Sequence, residues 1–498
     1  MNRKYGRPVA SGLGILVLIY ALLAIPESEM HLDAVVEKPV QSQPFAWKQD
    51  AFWRSLEDEF QTTRSLGCDA AQPRIALLLD DLEEKLQWLN NRFLPPHAVF
   101  YRELEAALFS TAPWIAACPE HLNAFSDLVT AMRIAVKRNS LHWDMTDHAA
   151  RITLYRLLYG GRAAVEEVML QASPQQSLPA LVMGFAEPSQ TPWASILGVR
   201  IHSGDILVSR GGAATSALIA RGNDFAGNFS HVALVYVHPK THLASIIESH
   251  IERGVTVSTL QDYLQDVKLR VLVLRLRADL PALIADPMLP HHAAEQALQR
   301  AQRMHIPYDF AMDFSDNSKL FCSEVASAAY RPHGIELWMS LSQISSHGLR
   351  RWLAGFGVRH FSTQEPSDLE YDPQLQVVAE WRDLETLRKD HLDNAVTEVL
   401  LDGAHAGEPL QYDHLLLPVA RLAKAWSLLL NAAGRIGPVP EGMGATAALR
   451  NRWYTHLHHR IKQHLEVRVQ QYESGHGYMP PYWRLVDMAQ QIKLELEK

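Results

Sequence analysis

From about Leu178 to Asp383 the chain leaves the helical hydrophobic period that governs it on both sides. That switch points to an α+β architecture. The stretches VRIHSGDILVSR, SHVALVYV, LASIIES, LRVLVLRLR and LQVVAEWRD are short, rich in β-branched residues and separated by turn formers. Leu269 to Arg277 alternates apolar and polar side chains, as a strand with one buried face does. A helical pattern at residues 291–304, HHAAEQALQRAQRM, interrupts the strands and is broken by Pro307. A second helix is expected around Cys322. Residues 178–383 therefore read as an antiparallel sheet with helices packed on it.

The flanks read as all-helical. In residues 46–175, Leu77, Leu78, Leu82, Leu86 and Leu89 fall at helical spacing. Further amphipathic stretches follow, punctuated by Pro95-Pro96, Pro113 and Pro119. A four- or five-helix bundle is expected there. Residues 384–498 contain LETLRKDHLDNAVTEVLL, LLLPVARLAKAWSLLLNAA and ATAALRNRWYTHLHHRIKQHLEVRVQQYE, interrupted by GPVPEG and GYMPPY. Neither flank carries recognisable chemistry. A chain of 498 residues suits about three domains of ordinary size.

Residues 1–30 form a separate unit. Arg3, Lys4 and Arg7 precede an apolar run from Val9 to Ile25, and the polar PESEM follows. This is the layout of a signal peptide or membrane anchor. The run is short for a spanning helix. Leu22 and Ala24 fit a cleavage site weakly, and no lipobox cysteine is present. Three readings stay open: an uncleaved inner-membrane anchor with its basic end in the cytoplasm, a cleaved signal, or a buried N-terminal helix. The first two put the bulk of the chain in the periplasm. Residues 26–45, rich in Pro, Glu and Gln, read as a tether. The net charge of −8, with basic residues scattered among acidic ones, gives no indication of nucleic acid as a partner. The three cysteines are Cys68, Cys118 and Cys322. Either Cys68 and Cys118 pair and leave one free thiol, or all three are separately buried thiols.

The chemistry gathers in FSHVALVYVHPKTHLASIIES and PYDFAMDFSDNSKLFCSEVASAAY. If the hairpin tip is residues 239–240 or 238–241, His231 falls opposite Glu248 on one face of the sheet. A tip of three or five residues would put them on opposite faces. A carboxylate that holds one imidazole nitrogen leaves the other free as a general base. The spacing of Phe321, Val325, Ala328 and Ala329 predicts a helix with Cys322 in its first turn, capped by Asn317 or Ser318. There the helix dipole and free N–H groups would favour a thiolate and an oxyanion. Taken singly, each residue also has an ordinary structural role. Together they form a nucleophile, a base and an orienting group.

The ordered set Gly204-Asp205-Ile206-Leu207, Phe229-Ser230-His231-Val232, Ile247-Glu248-Ser249, Gly254-Val255, Pro307-Tyr308-Asp309 and Phe321-Cys322-Ser323-Glu324 resembles the YiiX/YebB-like cysteine hydrolases. These form a permuted branch of the NlpC-type, papain-like superfamily in which the histidine precedes the cysteine. The resemblance covers about residues 198–335. It implies a circularly permuted papain-like core with Cys322 as nucleophile, His231 as base and Glu248 as orienting partner. Tyr308 would lie near the nucleophile, and Tyr308, Ser230 and Asp205 are the substrate-binding candidates. No metal or other cofactor is expected. The expected reaction is hydrolysis of an amide through an acyl-enzyme, with a cell-envelope peptidoglycan peptide as substrate. A lipid-directed hydrolase or acyltransferase is the second reading, because lecithin retinol acyltransferase-like members share the layout. A non-catalytic envelope protein is the third. Gly211-Gly212 and Gly222 lack P-loop spacing and read as a loop and short helix beside the site. His456, His458, His459 and His464 lack zinc spacing and read as a solvated helix face.

Overall fold

The computed structural model describes residues 17–26, 51–172, 178–338 and 341–497. Residues 1–16 of the apolar N-terminal unit, and nearly all of the proposed tether, lie outside the described residues. The leucine spacing of the N-terminal region produces five helices, Ala51–Leu66, Cys68–Asn90, Val99–Ala117, Leu122–Ser140 and His148–Gln171. Asp147 caps the last of them by accepting from the Ala149 N–H. Cys68 and Cys118 form a disulfide with their Cα atoms 5.5 Å apart, leaving Cys322 as the free thiol. By loop-closure entropy, tying residues 50 apart stabilises the bundle by roughly 3–4 kcal/mol.

The C-terminal helices are Leu384–His405, Leu417–Ala432, Ala445–His476 and Tyr482–Leu496. The last, beyond the GYMPPY break, was not read from the sequence. These helices do not stand apart from the N-terminal bundle. Trp53 stacks on Trp483 with ring centroids 5.2 Å apart, and Phe60 meets Tyr478 edge-on at 5.0 Å. One hydrophobic core runs through both flanks. His458 faces inward, 3.2 Å from the Asp393 carbonyl, instead of lining a solvated face.

The flanks enclose a seven-stranded antiparallel sheet. Its strands are β1 (Leu181–Met183), β2 (Ile206–Gly211), β3 (His231–Val237), β4 (Ala244–His250), β5 (Gly254–Thr259), β6 (Lys268–Leu276) and β7 (Leu375–Trp381). Their spatial order is β1-β7-β6-β2-β3-β4-β5. The sequence reading missed β5 and also β1, which at three residues leaves few alternating positions to detect. One face packs Ile206, Val208, Val232, Leu234, Leu272 and Leu274 against helices Leu289–Arg303 and Glu324–Tyr330. The other packs Leu207, Ala233, Val235 and Val273 against Ile196, Ile201 and Tyr263.

Buried ion pairs tie the sheet to both flanks. Arg270 on β6 bonds Glu166 of helix His148–Gln171 and, at 2.6 Å, Asp390 of helix Leu384–His405. Arg162 bonds Glu370 and, on β7, Glu380. Gly254 opens β5 at φ 69°, and a Cβ there would lie 2.1 Å from the Ile306 carbonyl oxygen. Only glycine permits this approach. It lets the Val255 N–H bond Ile306 at 2.8 Å, which lays the segment carrying Tyr308 along the sheet.

Candidate active site

The β3–β4 hairpin differs from the expected register by two residues. Ala233, not His231, lies opposite Glu248. The tip closes one step later than expected, with the His238 N–H bonded to the Leu243 carbonyl at 3.0 Å and His242 at φ 55°. A slip of two keeps both side chains on the same face. The diagonal is short enough to bridge, and His231 Nε2 lies 2.9 Å from a Glu248 carboxylate oxygen. The other Glu248 oxygen accepts from Ser258 Oγ at 2.9 Å and faces His250 Nε2 at 3.3 Å. Burial pushes the Glu248 carboxyl up, but the hydrogen bonds to His231 and His250 outweigh it and hold it well below the usual carboxylate range. Nε2 is thus the His231 nitrogen that Glu248 engages.

Cys322 does not sit in the first helical turn. The helix begins at Glu324, with Ser323 as its N-cap position, so Cys322 precedes it and Asn317 and Ser318 do not cap it. The thiol donates to the Ser230 carbonyl at 3.6 Å, next to His231 in the chain. The N–H groups of Ser323 and Val232 face the sulfur and favour its anion. Burial wins over them and, with Glu365 nearby, pushes the Cys322 thiol well above its ordinary range. At rest Cys322 is thus a protonated thiol.

Two cavities meet at this point. The first, about 140 Å³, contains Cys322, His231, Ser230, Ser209 and His250, with Glu252, Asp266 and Lys268 at its polar rim. The second, about 260 Å³, is lined mainly by apolar side chains, among them Leu218, Phe310, Met312, Phe321, Leu353 and Phe356. Ile219, Ile251, Glu252 and Tyr308 border both. Pro438, Pro440 and Met443, more than a hundred residues beyond the cysteine, complete the wall of the apolar chamber.

The model of the permuted papain-like amidase family, YaeF/YiiX, C92, matches residues 200–379. In this segment the chain is similar to the permuted papain-like amidases. No curated protein matches the chain. A solved structure of the metalloprotein YiiX from Escherichia coli O157:H7 is 18% identical. It matches over 36% of this chain and 98% of that one, with a TM-score of 0.29.

Within the amidase domain the expected site residues separate into two groups. Cys322, His231, Glu248, Ser230 and Tyr308 come together. Tyr308 is buried against Phe321, with ring centroids 5.6 Å apart, and Ser230 contributes chiefly its carbonyl. Asp205 does not join them. It is locked in a buried two-bond pair with Arg275, at 2.7 and 2.8 Å, and accepts from the His202 N–H. It lies four residues from Ser209, about 13 Å along β2. Its role there is structural. The glycine segment forms the end of β2 and the helix Ala214–Arg221 beside the site. Sequence reasoning passed over His250, although it follows Glu248 at the two-residue spacing that shares a face.

Ligand atoms of His231, Glu248 and His250 lie within 4.8 Å of one another, the spacing of a metal site. Here both imidazoles are bonded to the same carboxylate. Glu248→Gln keeps the shape but removes that charge. It is expected to lower kcat by about 10²–10⁴-fold with little change in KM, read from steady-state kinetics.

Glu324 gives the domain a pH dependence. Burial pushes its carboxyl up to about 8, although the Phe321 N–H bonds it at 2.6 Å. Between about pH 4.5 and 8 the folded chain keeps this proton while the unfolded chain has released it. Stability from this group therefore falls as pH rises through that window. Urea midpoints of Glu324→Gln, compared with the parent, are expected to decline less from pH 5 to pH 8.

Proposed function

We propose that the chain is a membrane-anchored envelope amidase in which Cys322 cleaves an amide between an apolar acyl group and a polar amine. The observation that carries this reading is the pairing of cavities at the thiol, apolar on one side and polar-rimmed on the other. His231 Nδ1 takes the Cys322 proton as sulfur attacks the carbonyl carbon, and the carbonyl oxygen becomes an oxyanion. Collapse breaks the C–N bond, and the amine leaves with the proton from His231. Water, deprotonated by His231, then attacks the thioester. The carboxylic acid is released and the thiol restored. The apolar run at residues 9–25 and the disulfide support an exported, anchored chain.

A peptide substrate is the second reading, favoured by Glu252, Asp266 and Lys268 at the rim, which suit a charged peptidoglycan stem. Comparing kcat/KM for long-chain N-acyl amino acids, short-chain analogues and muropeptides decides between the two. The proposal expects rates that rise with acyl length. Cleavage of muropeptides alone would replace it with the peptide reading.

A further inference from the structure

Helix Leu417–Ala432, outside the amidase domain, presents an apolar stripe to solvent. Val419, Leu422, Trp426 and Leu429 fall within one narrow arc at helical spacing, and Leu415 in the turn just before the helix is exposed as well, each between 56% and 72%. The opposite side is seated on the body of the protein, where Leu417, Ala420 and Ser427 are buried. Its two basic residues point away from the stripe. Lys424 bonds the Pro440 carbonyl at 2.8 Å, and Arg421 bonds the carbonyls of Leu23 and Ile25 at 2.9 and 2.7 Å. Tyr20 donates to the Leu415 carbonyl at 2.7 Å. The described end of the N-terminal apolar segment therefore lies against this helix, and its own Val17, Leu18, Leu22 and Ile25 are equally exposed.

We propose that this stripe is a membrane-docking surface, and that its occupant is the phospholipid bilayer entered by the N-terminal segment. The stripe continues the apolar surface of that segment and carries no charge. Because its far side is packed on helix Ala445–His476, the helix lies on the bilayer and does not span it. The docked face is also joined to the active site. Ser427 accepts from the Val439 N–H at 2.9 Å, and the neighbouring Pro438, Pro440 and Met443 form a wall of the apolar chamber. A chain seated this way holds the chamber beside its lipid source. The proposal rests on the reading of the N-terminal segment as membrane-inserted.

The test uses the full chain, carrying Cys322→Ala, in vesicles of phosphatidylethanolamine and phosphatidylglycerol. An environment-sensitive thiol label is placed at Leu18→Cys, Leu422→Cys, Leu429→Cys or, as an exposed control on the N-terminal bundle, Leu77→Cys. Nitroxide-bearing lipids are expected to quench the label several-fold more at positions 18, 422 and 429 than at 77. Quenching at 18 with 422 and 429 no different from 77 would overturn the docking surface and leave the anchor standing. No quenching at 18, 422 or 429 would overturn both. Labels at 422 and 429 shielded from an aqueous quencher but untouched by lipid nitroxide, in a chain that elutes as a dimer, would assign the stripe to a second copy.

Discussion

Cys322→Ala is expected to lower amide hydrolysis by about 10⁴-fold or more in kcat/KM while leaving the fold in place. The loss is large because in the proposed mechanism the sulfur forms the covalent bond, and no other described thiol is free to replace it. The fold is spared because the side chain is small. Removing one buried sulfur from the cluster around Tyr308, Phe321 and Val358 costs about 1 kcal/mol. Serine in its place is expected to do as badly, since a hydroxyl is a weaker nucleophile than the thiolate that His231 generates. Kinetics on a cleaved amide, beside an unchanged urea midpoint, separate chemistry from folding. The resting thiol should also alkylate slowly at neutral pH, because burial holds it protonated. A slow reaction with a simple alkylating agent is therefore compatible with a fast one on substrate.

Arg162→Leu is expected to destabilise the chain by about 3–5 kcal/mol, read from urea midpoints at constant slope. Arg162 comes from the N-terminal bundle and is almost wholly buried between Glu370 and Glu380. Glu380 keeps Arg133 at 3.3 Å and Arg382 at 3.8 Å, so it retains part of its compensation. Glu370 has no second direct ion pair among the described residues, and Lys137 and Arg133 reach it only through longer-range charge, so it would be left buried and much less well compensated. Adding Glu370→Gln to Arg162→Leu is expected to recover much of the loss, because the stranded charge is then gone. A single unfolding transition in both variants would show that bundle and sheet unfold together. Full additivity of the two substitutions would contradict the coupling.

The sequence carried the architecture through its change of period. The strands of Ile206–Gly211, His231–Val237, Ala244–His250 and Lys268–Leu276 were legible because β-branched runs alternate between turn formers. His231 and Glu248 could be placed on one face because strand parity survives a slip of two residues. The register itself was not legible, since it depends on a tip in which His242 adopts a positive φ, a conformation a histidine does not announce. The position of Cys322 was misjudged for a related reason. Helical spacing persists through Phe321, but the hydrogen-bonded helix starts three residues later. Asp205 shows the limit of a motif. Its invitation to bind something is answered by Arg275, seventy residues away in the chain. The apolar chamber was out of reach altogether, because Phe310 and Phe356 meet Pro440 and Met443 only in three dimensions.

The central claim is that Cys322 becomes acylated. Mixing the enzyme with an activated aryl ester of a long-chain acid, quenching in acid and mapping peptides by mass measures this directly. The account predicts a burst of the aryl alcohol and one acyl group on the peptide containing Cys322, both absent in Cys322→Ala. Turnover that persists in Cys322→Ala, or an acyl group found on another residue, would contradict it.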